Sequence, residues 1–135
     1  METTPKEVVN RYYQLIETPE LLDDVCSAQL RGHAGAGGDL KEFKAGHQSF
    51  REAFPDLKAE IHDLVQEGDV VSTWVTYQGT HRGEFAGVPG SDRPIRIAGW
   101  DLIRVEDGKI VEITSFCDIF TLMNQIGALP TVAPA

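Results

Sequence analysis

The apolar positions in the first half of the chain recur at helical spacing. Thr4 and Pro5 predict a helix start, because a threonine hydroxyl can cap the first turn and proline loses no backbone hydrogen bond there. Pro19 ends this helix and begins a short second one. A third helix closes at Phe54-Pro55, and residues 32–38 before it, with four glycines, predict a loop. The apolar positions of the first helix are Val8, Val9, Tyr12, Leu15 and Ile16, and those of the third are Leu40, Phe43, His47 and Phe50.

In the second half the hydrophobic period falls to two, which predicts β-strands. Gly68 and Gly108 lie in hairpin turn sequences, and a connection rich in glycine and proline covers residues 79–94. Gly127 caps a final helix over residues 118–126. The four predicted strands form a meander and cover residues 57–65, 70–78, 95–105 and 110–116.

The last predicted hairpin directs one carboxylate inward. With a three-residue turn at 106–108, Asp101 lies opposite Ile113, and Arg104 and Glu112 share the other face of the sheet. The charged side chains of Arg104 and Glu112 favour the solvent-exposed face of the sheet. Asp101 lies on the opposite face and is therefore expected to point toward the core. The alternative two-residue turn would place Glu112 beside a core isoleucine, which is less favourable. A lone carboxylate on an apolar face must find a hydrogen bond, a cation or a ligand.

Composition and charge limit the classes of function. The chain has 135 residues, of which 41% are hydrophobic and 24% charged. Helices followed by antiparallel strands therefore indicate one α+β domain over residues 1–135, with a frayed end at 130–135. The net charge of −9 disfavours nucleic acids and anionic membranes as partners. No signal peptide or membrane-spanning run is visible, so a cytoplasmic location is expected.

Standard cofactor chemistry has little support in the sequence. The two cysteines, Cys26 and Cys117, form neither a disulfide framework nor a zinc motif. The four histidines show no metal-ligand spacing. The glycines at 35–38 lack the strand and the lysine of a phosphate-binding loop, and no nucleophile elbow is present. We therefore predict no cofactor or metal site.

Several short motifs, in order along the chain, resemble the SnoaL-like polyketide cyclase family. They are Phe54-Pro55-Asp56-Leu57, Asp63-Leu64-Val65, Glu67-Gly68-Asp69, Gly79-Thr80-His81, Gly83-Glu84-Phe85, Gly87-Val88-Pro89 and the run from Arg104 to Glu112. The resemblance implies a nuclear-transport-factor-2-like cone, with a curved antiparallel sheet wrapped around N-terminal helices and an apolar cavity inside. It also implies a homodimer or homotetramer that associates through the outer face of the sheet.

One departure from the family pattern concerns the chemistry. Many members follow the matched glutamate with histidine, tryptophan and aspartate, whereas Glu112 is followed here by Ile113, Thr114 and Ser115. The acid–base pair that such members carry on this strand is therefore missing. The remaining candidates for catalysis are Asp101, Asp118 and His33.

Each catalytic candidate has a structural alternative. Asp101 either deprotonates a carbon acid or is a buried aspartate satisfied by Arg96 or a backbone amide. Asp118 is either a second carboxylate at the cavity mouth or the N-cap of the last helix. His33 either closes the open end of the cone or is simply solvated. The side chains expected to contact a flat aromatic ligand are Trp74, Trp100, Ser115, Phe50, Tyr13 and Ile113, although strand tryptophans also serve as ordinary core or interface residues.

The resemblance implies a cofactor-independent enzyme that acts on an aromatic, anthracycline-type polyketide intermediate. Its chemistry would be acid–base catalysis at a carbon next to a carbonyl, leading to aldol cyclisation or to hydroxylation by dioxygen. An epoxide hydrolase or epoxide-opening cyclase is the first alternative, and it requires both Asp101 and Asp118 to face inward. A non-catalytic small-molecule-binding module of the same fold is the second.

Overall fold

The computed structural model describes residues 3–128, and the predicted frayed end at 130–135 lies outside them. The described part has an α+β architecture, as predicted. Its elements, in chain order, are α1 (Pro5–Leu15), a 3₁₀ helix (Pro19–Asp24), β1 (Cys26–Ala34), α2 (Leu40–Ala53), β2 (Lys58–Glu67), β3 (Val70–Thr80), β4 (Pro94–Glu106), β5 (Lys109–Cys117) and α3 (Ile119–Gln125).

Side-chain caps fix the starts of the helices. The Thr4 hydroxyl accepts a hydrogen bond from the Glu7 backbone N–H at 3.2 Å, and proline follows it as predicted. The Asp39 carboxylate does the same for α2, accepting from the Glu42 N–H at 2.9 Å. These contacts satisfy backbone donors that have no partner inside the helix.

The sheet has the strand order β1-β5-β4-β3-β2, and one of its strands was not predicted. β1 pairs in parallel with β5, whereas the other pairings are antiparallel. The glycine-rich segment that the sequence assigned to a loop therefore begins inside a strand, since Gly32 lies opposite Ile113. β1 escaped prediction because it is an edge strand with few large apolar residues, and only Cys26 and Leu30 of it are buried.

The β4–β5 hairpin differs from the predicted register, although its inward carboxylate is confirmed. Its turn has two residues, Asp107 and Gly108, with φ angles of 51° and 75°, so the expected three-residue turn is wrong. The register then shifts through a bulge, which brings Asp101 opposite Ser115 rather than Ile113. The bulge restores the alternation of faces, so Asp101 still points inward and is only 5% exposed.

The main core lies between α1 and the inner face of the curved sheet. A second cluster joins the end of α2 to α3 and the start of β4, and includes Phe54, Ile97 and Leu122. Tyr77 packs against both clusters. No helix in the part of the chain described is long and apolar enough to cross a membrane.

Candidate active site

A cavity of about 210 Å³ opens between α2, the loop after β1 and the inner face of the sheet. Its walls are largely aromatic and aliphatic, with Tyr12, Phe43, Phe50, Leu57 and Tyr77 among them. The polar side chains that reach it include His47, Asp101, Ser115 and Cys117. A mostly apolar cavity with a few converging polar groups is the usual form of a small-molecule site.

Asp101 lies in the middle of β4, with Thr73 of β3 on one side and Ser115 of β5 on the other. Its backbone N–H donates to the Thr73 hydroxyl oxygen at 3.0 Å. Its carboxylate accepts a hydrogen bond from the Tyr13 hydroxyl. Asp101 is therefore held by α1 and by both neighbouring strands. Arg96, one of the partners considered from the sequence, bonds instead to Gln78 at 3.1 Å.

The hydroxyl groups near Asp101 form a chain of hydrogen bonds in which each hydroxyl donates toward the carboxylate. Tyr13 has a single phenolic proton and gives it to the carboxylate, so the 2.7 Å contact between Tyr13 and Thr73 must use the Thr73 proton. The resulting chain runs from Thr73 through Tyr13 to Asp101. Such a chain polarises each bond along it and fixes the orientation of the carboxylate.

Burial dominates the electrostatics of Asp101. Removal from water raises the pKa of Asp101 above its ordinary value, while the Ser115 and Tyr13 side chains act in the opposite direction. A carboxylate with a raised pKa is a stronger base than an exposed one. This environment suits a group that takes a proton from a carbon acid and later returns it.

His47 of α2 reaches the same cavity, and its Nε2 lies 2.8 Å from the Tyr12 hydroxyl. Its ring meets the edge of Phe43 with centroids 4.7 Å apart. Burial, aided by the positive charge of Arg51, lowers the pKa of His47 to about 4. The imidazole is therefore neutral at physiological pH.

Tyr77 and Cys117 complete the polar lining on the sheet side. Burial raises the pKa of both side chains, and the charge of Asp101 adds to the effect. The Tyr77 ring lies directly against Gly99. A Cβ atom added at Gly99 would come within 2.5 Å of the ring. The glycine thus gives Tyr77 the space to lie along the cavity wall.

The loop after β1 forms one edge of the cavity with its backbone. Gly35, Ala36 and Gly37 all line it. The Gly35 N–H donates to the carbonyl of Ser115 at 2.8 Å, which ties the loop to the strand that faces Asp101. The glycine-rich segment therefore shapes the entrance.

Of the residues singled out from the sequence, Asp101, Ser115 and Phe50 lie together in the cavity wall. Tyr13 is buried behind Asp101 and contacts its carboxylate rather than the cavity. Ile113 is fully buried in the main core. The structure thus brings a buried carboxylate and its hydroxyl partners together from α1, β4 and β5.

The other two catalytic candidates lie outside the cavity lining. Asp118 caps α3, accepting from the Thr121 N–H at 3.0 Å and from its hydroxyl at 2.6 Å, and these bonds lower the pKa of Asp118. His33 lies on β1 and contacts the Glu112 carboxylate at 2.8 Å, half exposed to solvent. The Asp118 contact is the N-cap weighed from the sequence, whereas the Glu112 partner of His33 was not foreseen, since His33 was expected either to close the cone or to be solvated.

Trp74 and Trp100 lie on the outer face of the sheet, not in the cavity. They pair with each other across β3 and β4, and they are 44% and 50% exposed. Because side chains alternate along a strand, the inward positions beside them belong to Thr73 and Asp101. The expectation that the tryptophans contact a ligand inside the cone is therefore corrected by their placement.

Sequence reasoning missed the role of Tyr12 and His47 in the cavity. It noted the histidine on the apolar face of its helix, where a polar ring needs a partner. The partner is supplied by α1, 35 residues earlier in the chain, and helical spacing carries no information about which helix lies opposite. Within residues 3–128, no group of three or more His, Cys, Asp or Glu side chains gathers to hold a metal ion.

Comparison with known proteins places this architecture in a family. A family model described as SnoaL-like polyketide cyclase matches residues 6–126. IdmH of Streptomyces antibioticus, a candidate polyketide cyclase, is 30% identical, with 93% of this chain and 99% of that chain covered and a TM-score of 0.83.

Two further solved structures share the fold at lower identity. A SnoaL-like candidate cyclase from Jannaschia sp. CCS1 is 23% identical over 96% of this chain and 95% of that chain, with a TM-score of 0.85. AclR of Streptomyces galilaeus, a candidate hydroxylase, is 23% identical over 96% and 84%, also with a TM-score of 0.85. No protein with curated annotation matches the sequence.

Proposed function

The chain belongs to the SnoaL-like polyketide cyclase family, and from this we propose that it closes a ring in an aromatic, anthracycline-type polyketide intermediate by cofactor-independent aldol chemistry. The cavity takes the substrate, and Asp101 acts as base and then as acid. The observation that carries the proposal is the position of Asp101. It is a nearly buried carboxylate in the wall of a largely apolar cavity.

The proposed step begins when Asp101 removes a proton from the carbon next to a substrate carbonyl. The C–H bond breaks, the proton moves to the carboxylate, and the electron pair delocalises onto the carbonyl oxygen as an enolate. The enolate carbon then bonds to a second carbonyl carbon in the same molecule. The oxygen of that second carbonyl takes the proton back from Asp101, so the product is an isomer of the substrate.

The surroundings of Asp101 support this role. Apolar walls raise the basicity of the carboxylate, and the Tyr13 hydroxyl holds one of its oxygens in place. Ser115 occupies the position where many family members carry an acidic residue, and it lies directly across from Asp101. In this chain the inward carboxylate next to that position is the one on β4.

Epoxide opening receives less support, because it needs a second acid beside the carboxylate. Asp118, the candidate for that role, is engaged by Thr121 at the start of α3 and does not line the cavity. Hydroxylation would share the enolate with ring closure. Capture of the enolate by dioxygen gives a hydroperoxide, and loss of water from it leaves a second carbonyl with one added oxygen and two fewer hydrogens, whose enol form carries the new hydroxyl group.

Mass spectrometry of the products tests the proposal. The protein is incubated with an anthracycline-type polyketide ketone, with and without air, and the products are separated by chromatography. We expect a product of unchanged mass and new retention time. We expect Asp101→Asn to lower the rate by about 10²- to 10⁴-fold, the usual contribution of a general base.

Asp118→Asn is the matched control, because asparagine also caps helices well and this side chain lies outside the cavity. It should retain the wild-type rate. Equal losses in the two variants, or full activity in Asp101→Asn, would refute the assignment. A product that contains an additional oxygen atom only when air is present would indicate hydroxylation instead of cyclisation.

We also propose that two copies associate through the outer face of the sheet. Trp74, Trp100 and Phe116 lie opposite one another on β3, β4 and β5 and form an exposed aromatic row. Aromatic side chains are enriched at such interfaces, and a row of three in register offers a self-complementary surface.

A further inference from the structure

The cavity contains a second polar pair that the proposed mechanism does not use. The Tyr12 hydroxyl and His47 Nε2 are 2.8 Å apart, and both side chains line the cavity with Asp101. Tyr12 is 1% exposed, so its hydroxyl has been removed from bulk water. A buried phenol must place its proton on an acceptor.

This requirement indicates which imidazole nitrogen carries the hydrogen. Within residues 3–128, the Tyr12 hydroxyl has no acceptor other than His47 Nε2. The phenolic proton therefore points at Nε2, which accepts it. A neutral imidazole has one protonated nitrogen, so the hydrogen of His47 lies on Nδ1.

The Nδ1–H group is left for a ligand. No group in the described part of the chain forms a hydrogen bond with it, while Phe43 and Tyr12 meet the ring edge-on and restrict its rotation. Because burial lowers the pKa of His47 to about 4, the ring stays neutral over the physiological range. A neutral imidazole can polarise a carbonyl without giving up its proton.

One helix sets the positions of both polar groups. Tyr12 and Tyr13 are consecutive on α1, with ring centroids 4.9 Å apart. Tyr12 contacts His47 on one side of the cavity, and Tyr13 contacts Asp101 on the other. The two tyrosines thus fix the separation between a hydrogen-bond donor and a base that face the same space.

We propose that His47 is a second catalytic residue, whose Nδ1–H donates a hydrogen bond to the substrate carbonyl oxygen and holds the enolate formed by Asp101. Tyr12 is the positioning residue that selects the tautomer. The inference rests on the proposed function, since it assigns the oxyanion donor for the same proton abstraction. No atoms are transferred to or from His47.

Nitrogen-15 NMR of the imidazoles tests the tautomer without any substrate. In the wild-type protein we expect the His47 ring to be neutral and protonated at Nδ1. In Tyr12→Phe the acceptor bond is lost, and we expect the population protonated at Nε2 to rise. A wild-type ring protonated at Nε2 would overturn the inference.

A phenol that mimics an enolate tests the donor itself. The probe is 2-naphthol, a bicyclic alcohol whose neutral and ionised forms differ in absorbance and fluorescence. It is bound to Asp101→Asn, in which a neutral amide stands in for the protonated base and does not repel the naphtholate. Adding His47→Leu should weaken naphtholate binding by about 10- to 100-fold, as expected for one lost hydrogen bond to a charged oxygen.

Two controls separate a lost donor from a disturbed helix. Gln48→Leu makes a similar change at the next, exposed position of α2 and should leave naphtholate binding unchanged. His47→Asn carries an amide N–H near the position of Nδ1 and should restore part of the binding. Equal naphtholate binding with and without His47, or no binding at all, would overturn the inference.

The two proposals fail separately. If Asp101→Asn keeps its turnover while His47 still holds naphtholate, the proposed base is wrong and the assigned donor stands. If Asp101→Asn is inactive while His47→Leu retains the wild-type turnover, the base stands and the donor is wrong.

Discussion

The burial of Asp101 favours its proposed role as a base but lowers the stability of the folded protein when the carboxylate is ionised. Because burial raises the pKa of Asp101 in the folded protein, the native state binds its proton more tightly than the unfolded chain does. The stability associated with that proton is fully present below the unfolded value of 3.8. It is lost as the pH rises through the folded pKa, and the ionised form is then the more costly one to bury.

The first prediction at the residue scale therefore concerns the stability of Asp101→Asn. The variant should unfold at a higher temperature than the wild type at neutral pH, although it lacks the proposed catalytic base. The difference should shrink as the pH falls toward 3.8, because the wild-type carboxyl then becomes neutral. Calorimetric melting across this pH range checks it, and a difference that does not vary with pH would contradict it.

A second prediction concerns Tyr13, which donates to the charged form of Asp101 and so opposes the rise of its pKa. Tyr13→Phe removes that donation, and the pKa of Asp101 should rise further. The acidic limb of the kcat/KM profile should move to higher pH, while activity above the limb stays within a few-fold of wild type. Thr73→Ser, which keeps the hydroxyl chain, should leave the limb in place. A uniform loss of activity at every pH would indicate a merely structural role.

The sequence was sufficient to find Asp101 but not the groups around it. A charged residue alternating with Ile103 and Val105 in a strand must lie on their face, whichever register the hairpin takes. Tyr12 was visible only as a member of an apolar stripe, and Tyr13 only as an aromatic side chain that could contact a ligand. Their hydroxyl partners come from α2 and β4, and no pattern within α1 encodes those distances.

At the scale of elements, local turn chemistry predicted most boundaries within a few residues, and long-range pairing was the weak point. The pair Asp107-Gly108 suits a two-residue turn, but the bulge that follows it depends on the burial of Ile110 and Ile113 on the same face. β1 was missed because its pairing with β5 spans most of the chain and leaves only a few apolar residues as a trace.

Replacing either of two glycines at the cavity by alanine should change the unfolding free energy, with opposite signs at the two positions. Gly99→Ala places a methyl group within 2.5 Å of the Tyr77 ring, so the ring must move into the cavity. We expect a loss of about 1–3 kcal/mol of unfolding free energy, typical of overpacking. Naphthol binding should weaken as well, because the displaced ring occupies its space.

Gly46→Ala is the matched counterpart in α2, where an added methyl group meets nothing within 4 Å. Replacing glycine by alanine in a helix should raise the unfolding free energy by about 0.5–1 kcal/mol. Chemical denaturation of the two variants measures both effects. A stabilised Gly99→Ala would show that Tyr77 does not depend on the space above that glycine.

At the scale of the whole molecule, the two faces of the sheet differ in the side chains that they carry. The inner face carries Asp101 and the cavity wall, and the outer face carries the aromatic row. Trp74, Trp100 and Phe116 expose 44%, 50% and 60% of their surfaces. A contiguous exposed patch of large apolar side chains commonly marks an interaction surface. The His62 ring of β2 lies against Trp74, with centroids 4.6 Å apart, and still leaves it 44% exposed.

Trp100 lies at the centre of this row, paired with Trp74 on one side and Phe116 on the other. If a second copy covers the row, two-fold symmetry brings each copy's Trp100 region against the same region of its partner.

Trp100→Glu should therefore weaken association by at least about tenfold. It removes a central anchor, and it adds one negative charge to each copy, which already carries a net charge of −9. Sedimentation velocity over a range of concentrations measures the change. Leu21→Glu makes the same kind of substitution at an exposed residue of the 3₁₀ helix and should leave the wild-type mass unchanged. A wild-type protein that stays monomeric at every concentration, or equal behaviour of the two variants, would show that the aromatic row has another role.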